Sequence, residues 1–352
     1  MAPQSIEIAG RKVGPGHPCL IIAEAGVNHN GDLDLARRLI DVAVDAGADV
    51  VKFQTAVPEK VVSTSAPKAT YALETTDPSE SQLDMVRRLH PFTPEDFAGL
   101  IEHCHERGIM FMSSPFDEPS IDLLDSLGVA AFKVPSGEIT NLPYLSRMAA
   151  KGKPMVVSTG MSYLSEVETA VRTMRETGNE HLVLLQCVSN YPADPADANL
   201  RAMHTMSMAL GALVGYSDHT HGIEVSLAAV ALGACVIEKH FTMDRELPGP
   251  DHRASLEPEE LGALVIGIRS VESALGNGRK EPALSEANTA DVARKSLVAA
   301  VDIKAGTVLT EEMIEIKRPG TGLAPAMRPS LVGRSASVDI PEDALLTMEM
   351  LS

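Results

Sequence analysis

The chain has few cysteines and no cysteine motif. Cys19, Cys104, Cys187 and Cys235 are scattered through 352 residues with no CxxC pair, which points to reduced thiols in a cytosolic protein rather than a disulfide framework. No apolar run approaches the ~20 residues that cross a bilayer. The opening stretch MAPQSIEIAGRKVG lacks the long apolar core of a signal peptide. Low-complexity segments are also missing. Positive charge is in short supply, with 30 Lys and Arg against 48 Asp and Glu and a net charge of −18. That balance argues against general nucleic-acid binding and against an anionic membrane surface. An anionic substrate would have to be drawn by local lysines and arginines, not by the overall field.

Apolar residues make up 44% of the chain, ample for a buried core. After an opening ribbon, SIEIAGRKVG, strand-like runs recur: CLIIAEAG, DVVKFQT, IMFMSSP, AFKVPS, PMVVST, LVLLQCV, LVGYSD and CVIEKHF. Helix-like stretches alternate with them, over 33–45, 94–107, 117–127, 142–150, 165–177, 198–210, 223–232 and 258–275. In the first, Leu35, Leu39, Val42 and Ala43 share a face and Gly47 closes the helix. About eight β–α units in a row, over roughly 250 residues, predict an α/β fold with a closed (β/α)8 TIM barrel, rather than a doubly wound open sheet.

Residues 56–93 form an over-long connection with one short helix around SESQLDMVRRL, and read as a lid or binding loop. Residues 277–290 (NGRKEPALSEANTA) are polar and read as a linker. The barrel domain thus spans 1–276, and 291–352 form a small C-terminal α+β domain, marginal alone and therefore expected to dock on something.

Polar residues gather at the carboxyl ends of the strands, where parallel α/β proteins bind ligands. Glu24, Lys52, Gln54, Ser114, Lys133, Ser136, Glu138, Ser158, Ser189, Ser217, His219 and His240 make up this ring. Lysines and hydroxyls suit a phosphate or carboxylate, and carboxylates suit proton transfer. Each taken singly is as well explained by a salt-bridged or backbone-bonded structural residue; the joint placement is what carries the inference. His219 and His240 end two successive strands. Adjacent parallel strands lie about 4.8 Å apart, so both imidazoles can share one divalent cation. Two protein ligands leave open positions, which suits Mn²⁺ or Mg²⁺ better than a closed zinc site. His221 and His252 are rivals for this role, and His90, His103 and His105 read as spectators on helices or loops. Arg318, in KRPGTG, reads by itself as a solvated arginine on a rigid turn.

Seven runs resemble the sialic acid synthase family (N-acetylneuraminate synthase and its nonulosonic acid relatives). They are IIAEAGVNHNGD at 21–32, VKFQT at 51–55, FKVPSGEI at 132–139, VSTGMS at 157–162, GYSDHT at 215–220, EKHFT at 238–242 and LPGPDHRAS at 247–255. The tail, RKSLVAAVDIKAGTVLTEEMI followed by KRPGTG, resembles that family's antifreeze-like (SAF) domain.

The resemblance implies condensation of phosphoenolpyruvate with N-acetylmannosamine to N-acetylneuraminate. It implies that Lys52, Ser114, Lys133, Ser136, Ser158, Ser189 and Ser217 hold phosphoenolpyruvate. Gln54, Glu138, Tyr191 and Asp251 would hold the sugar. Arg318 would arrive from the partner in a domain-swapped homodimer, and His219 and His240 would bind Mn²⁺, with Mg²⁺ or Co²⁺ as substitutes. Glu24 is the expected acid/base. Within the family, the 56–93 connection looks closer to the legionaminic acid synthases, whose substrate is a 2,4-diacetamido-trideoxy sugar needing a more apolar pocket. An inactive sugar-binding relative and a metal-dependent pyruvate aldolase are the other readings. Neither accounts for the joint presence of Glu24, Lys52, Lys133, His219 and His240.

Overall fold

Strand formation here follows from short apolar, β-branched-rich runs bounded by glycine, proline and helix caps. The computed structural model describes residues 5–352, and the chain divides between Gly276 and Asn277 into two compact units. The first unit opens on an antiparallel hairpin of β1 (Ile6–Ile8) and β2 (Arg11–Val13). Eight parallel strands follow: β3 (Leu20–Gly26), β4 (Val50–Thr55), β5 (Met110–Pro115), β6 (Phe132–Val134), β7 (Met155–Ser158), β8 (Leu182–Cys187), β9 (Leu213–Asp218) and β10 (Val236–His240). Their ladder runs β5-β4-β3-β10-β9-β8-β7-β6. β5 and β6 lie side by side and bring the sheet round to a nearly closed barrel. β6 is only three residues long, and Pro135 directly after it has no N–H with which to extend a ladder.

Helix α1 (Leu33–Asp45) follows β3, capped by the Asp32 carboxylate, which accepts from the amides of Asp34 and Leu35. Its buried residues are Ala36, Leu39, Ile40 and Ala43. The face is thus rotated by about one residue from that expected: Leu35 and Val42 lie at its edge, partly buried against the core. The connection after β4 carries three short helices, α2 (Pro58–Val61), α3 (Thr70–Thr75) and α4 (Gln82–Leu89), where one was expected. The outer ring continues with α5 (Pro94–Arg107), α6 (Glu118–Ser126), α7 (Leu142–Ala149), α8 (Leu164–Glu176), α9 (Arg201–Leu210), α10 (Glu224–Ala231) and α11 (Pro258–Leu275). α5 shows why such boundaries are legible. Thr93 and Asp96 form a reciprocal cap around Pro94, and Gly108 closes the helix in the left-handed region at φ +73°.

Side chains alternate along each strand, so every second residue faces the barrel interior. The lower interior is apolar, with Leu20, Ile22, Val50, Val156, Val183 and Val236 joined by Ile6, Ile8 and Val13 of the hairpin, which plugs that end. Gly215 on β9 is required there, since a Cβ would lie 2.3 Å from the Val236 carbonyl oxygen and 2.7 Å from a methyl of Leu185. One step further along each strand the interior turns polar.

The second unit pairs β11 (Ser296–Ala299) with β12 (Ile314–Lys317), antiparallel, around a small core that includes Leu297, Leu309, Ile314, Leu331, Ile340 and Leu346. α12 (Ala287–Ala293) and α13 (Arg328–Leu331) are its short helices. The stretch 277–290 is not a plain linker. It belongs to the second unit and contains a helical turn, Leu284–Glu286, and the start of α12.

Candidate active site

The polar layer at the carboxyl ends of the strands lines a cleft of about 400 Å³. Register brings its members together. Glu24 on β3 is paired with Lys52 on one side and His240 on the other, and Gln54 on β4 is paired with Ser114 on β5. β3 ends at Gly26 with φ +53°, and a Cβ there would crowd the side chains of Glu24, His240 and Gln54 at 3.3–3.4 Å. A left-handed residue without a side chain lets the chain turn away while those three groups converge.

Four charges form the floor. The Lys52 ammonium stands 2.7 Å from Glu24 Oε2 and 3.8 Å from Glu238 Oε2, and donates to Ser114 Oγ at 2.9 Å. The Lys133 ammonium is 3.3 Å from Glu238 Oε1, which also accepts from Ser217 Oγ at 3.1 Å. All four side chains are at most 5% exposed. The two carboxylates differ in character. Burial lifts the Glu24 carboxyl above its ordinary value, and the charge of Glu238 adds to this; Lys52, although close, does not overcome them. Burial acts on Glu238 too, but Lys133 and Lys52 outweigh it and keep it ionised. Two neighbouring acids whose environments push them apart are suited to divide the work of charge balance and proton exchange.

Above the floor, the His219 and His240 rings lie with centroids 5.4 Å apart. His219 Nδ1 is 2.7 Å from the Val188 carbonyl oxygen. A carbonyl only accepts, so Nδ1 carries a proton and Nε2 is the nitrogen left for a cation. His240 Nδ1 is buried with no hydrogen-bond partner, and the nearest carboxylate, Asp251, is 3.8 Å away. Burial, together with His219 and the lysines, holds His240 well below the usual imidazole range and therefore neutral. Burial acts against charge on His219 too, but Cys187 and the Val188 carbonyl outweigh it and raise His219 above the usual imidazole range; a divalent cation would take the place of its Nε2 proton and use the free lone pair of His240. Two imidazole ligands by themselves leave further positions of such a cation for small ligands; among the described residues no group of three or more His, Cys, Asp or Glu is placed to hold a metal ion. Burial raises Asp251 to about 6.

Ser136, Ser158, Ser189, Tyr191 and Asp251 also line the cleft. Gly160 donates its amide to Ser136 Oγ at 3.0 Å, and the Tyr191 ring lies 4.1 Å from that of His219. A further wall combines apolar side chains, Ala72, Met85, Val86 and Leu89 from α3 and α4 with Val27 and Phe116, and the polar Tyr71, Gln82 and His90. Glu138 sits in the turn after β6, outside the cleft lining, and accepts from Asn141. Arg318 is exposed on the second unit, directly after β12.

Several lining residues were not foreseen, Glu238, Cys187 and His90 among them. Glu238 precedes His240 by two and shares its face; alternation along β10 was the signal that could have found it. Cys187 lies 3.8 Å from His219 Nδ1. His90, expected as a spectator, stands in the wall beside Phe116 with Nδ1 bonded to the Val86 carbonyl. The rival histidines are placed elsewhere, His221 exposed and His252 bonded to Thr242 outside the lining.

Residues 39–280 match the NeuB family and residues 294–352 match the SAF domain. The chain is 49% identical over 329 residues to N,N'-diacetyllegionaminic acid synthase of Campylobacter jejuni, covering 93% of this chain and 98% of that protein. It is 47% identical over 340 residues to the enzyme of the same name from Legionella pneumophila, covering 96% and 95%. Among solved structures, the N-acetylneuraminic acid synthetase of Leptospira borgpetersenii, in complex with citrate, superposes with a TM-score of 0.71 at 38% identity, covering 82% of this chain and 95% of that one.

Proposed function

This chain belongs to the NeuB family, and on that premise we propose that it is a nonulosonic (sialic) acid synthase. It joins phosphoenolpyruvate to an open-chain N-acetylated mannose-type sugar and releases inorganic phosphate by C–O cleavage. One observation carries this reading: Lys52 and Lys133, both buried, converge with Glu24, Glu238, His219 and His240 on one cleft. In a chain of net charge −18, two desolvated ammonium groups are a local invitation to a phosphate and a carboxylate on one small molecule.

The enol carbon of phosphoenolpyruvate attacks the sugar aldehyde carbon and forms the new C–C bond, and the aldehyde oxygen takes up a proton. Water adds to the cationic carbon left on the pyruvyl unit and gives up a proton. The tetrahedral adduct then expels phosphate with its oxygen, leaving a 2-keto acid. Glu24 is the group we assign to deliver the first proton and collect the second, because it holds its proton unusually tightly and stands in register with His240. Lys52 and Lys133, with Ser114, Ser136, Ser158, Ser189 and Ser217, hold the phosphate and carboxylate; Glu238 keeps the two lysines charged and fixed. A divalent cation, Mn²⁺ in this reading, held by His219 and His240 supplies Lewis acidity toward the aldehyde oxygen when bound. Gln54, Tyr191, Asp251 and Glu138 are assigned to the sugar. Arg318 of the partner subunit caps its amide, which makes the working form a homodimer with exchanged C-terminal units. The compartment we assign is the cytoplasm; among the described residues no helix is long and apolar enough to cross a membrane.

For the sugar, the apolar side chains of that wall favour 2,4-diacetamido-2,4,6-trideoxymannose, giving N,N'-diacetyllegionaminate, over N-acetylmannosamine. A methyl at C6 and an acetyl methyl at C4 gain by contact with Ala72, Met85 and Leu89, whereas the hydroxyls of N-acetylmannosamine would lose hydrogen bonds to water there. The two relatives quoted above at 49% and 47% identity carry the legionaminic name, in agreement with this choice. The test is phosphate release by metal-stripped protein given phosphoenolpyruvate and Mn²⁺. Release should require a sugar, be stopped by chelation, and be at least about tenfold more efficient with the diacetamido sugar. Release with neither sugar overturns the synthase reading, and a preference for N-acetylmannosamine overturns only the choice of sugar.

A further inference from the structure

β9 and β10 carry, on the face away from the cleft, an ion pair that solvent does not reach. Lys239 and Asp218 are each 0% exposed, and their Nζ and Oδ2 lie 2.9 Å apart. They are direct register partners across the two strands. The Asp218 carboxylate is fully engaged: Oδ1 accepts from the amide and hydroxyl of Thr220 at 2.9 and 2.8 Å, and Oδ2 accepts from Ser226 Oγ on α10 at 2.6 Å as well as from Lys239. The same ammonium also donates to the Thr220 carbonyl oxygen at 2.5 Å.

Asp218 and Thr220 are the residues on either side of His219, and Lys239 is the residue before His240. One ammonium therefore clamps the backbone before and after the first imidazole to the strand that presents the second. A buried ion pair is weak evidence for stability, because desolvation offsets most of its attraction, and well-packed apolar replacements are often neutral. The geometry points to a different role: Lys239 and Asp218 are positioning residues that fix the spacing and aim of His219 and His240, and so set the affinity for the divalent cation. Without the clamp, the segment after β9 is held to β10 by fewer contacts, and the two imidazoles lose their mutual alignment while the barrel core remains.

This inference rests on the metal reading above, so the test measures binding directly. Metal-stripped full-length protein is titrated with Mn²⁺, and free ion is read by electron paramagnetic resonance without substrates. Phosphoenolpyruvate affinity and the thermal midpoint are measured on the same samples. The double variant D218N/K239M removes both charges together and leaves no uncompensated ion. It should melt cooperatively, bind phosphoenolpyruvate as the wild type does, and bind Mn²⁺ about 10-fold more weakly, at the lower end of what losing a group that orients a metal-ligating histidine costs. The milder Ser226→Ala, which removes one Asp218 contact without changing charge, should weaken Mn²⁺ binding by roughly threefold, and it decides the matter if the double variant gives no cooperative melt. Wild-type Mn²⁺ affinity in the folded double variant, or in Ser226→Ala where that is the deciding protein, overturns the positioning role. A lowered midpoint with unchanged Mn²⁺ affinity reduces the pair to a structural one and overturns it equally. Absence of Mn²⁺ binding by the wild type overturns the metal reading itself, and the inference with it.

Discussion

Lys52 and Glu24 face each other from adjacent strands with Nζ 2.7 Å from Oε2, and both side chains are 2% exposed. Yet the Glu24 carboxyl holds its proton more tightly than a carboxylate in water, because burial and the charge of Glu238 outweigh the lysine. A salt bridge that leaves its acid easily protonated is a chemical device more than a structural one. Glu24→Gln keeps the shape and the hydrogen bond to Lys52 but removes proton exchange. We predict a fall in kcat of about 10²–10⁴-fold with a thermal midpoint within a few degrees of wild type. A kcat within threefold of wild type, in a phosphate-release assay, would remove Glu24 from proton transfer.

The apolar side of the cleft wall makes a prediction about specificity. Met85 is 8% exposed and packs with Val27, Ala72 and Leu89. Met85→Gln preserves length and introduces an amide. It should lower kcat/KM for the diacetamido-trideoxy sugar by about tenfold, the worth of one or two methyl contacts, and leave the KM for phosphoenolpyruvate unchanged. The comparison is steady-state kinetics with each substrate varied in turn.

His29 predicts a pH dependence of stability. It is 1% exposed, stacks on Phe92 at 4.4 Å, and accepts from the Gly31 amide at Nδ1. Burial lowers it to about 3, against about 6.5 in an unfolded chain. Between those values the unfolded chain binds the extra proton, so stability is complete above pH 6.5 and declines as pH falls toward 3. At pH 5 His29 alone should cost about 2 kcal/mol relative to pH 7. His29→Phe should flatten this part of the curve in urea unfolding at the two pH values; an unchanged slope would exclude His29 as its source.

Gly215 predicts a packing defect. The 2.3 Å approach of its would-be Cβ to a backbone carbonyl of β10 leaves no side chain to yield. Gly215→Ala should destabilise by roughly 1–3 kcal/mol, read as a lower midpoint in thermal unfolding. It should also disturb the β9–β10 pairing that presents His219 and His240.

Much of this was legible in the chain. Eight apolar runs alternating with capped helices specify eight staves, since strand period, helix period and cap chemistry are local properties. The α5 boundaries fall where Thr93, Pro94 and Gly108 put them. Polar residues at strand ends marked the mouth. Less legible were facts set by long-range neighbours. The buried face of α1 is rotated by a residue because sheet contacts, not the helix's own pattern, decide which side is covered. The 56–93 connection forms three helices, two of which, α3 and α4, pack against Val27, a partner the local sequence does not name. Glu238 lies in EKHFT, but its worth comes from being the common neighbour of Lys52 and Lys133, which spacing along the chain does not show. His90 looked like any helix-end histidine until Phe116 was beside it.

The staves, the caps, the family and the gathering of polar residues at the strand ends are written along the chain, because residue type and spacing carry that information in one dimension. Contacts between distant residues set which carboxyl burial lifts and which one the lysines hold ionised, which nitrogen of His219 meets a carbonyl, and that one buried ammonium on β10 grips both sides of His219. Those are questions of distance and dielectric between residues far apart in the chain, and they have no value until strand register fixes who stands next to whom.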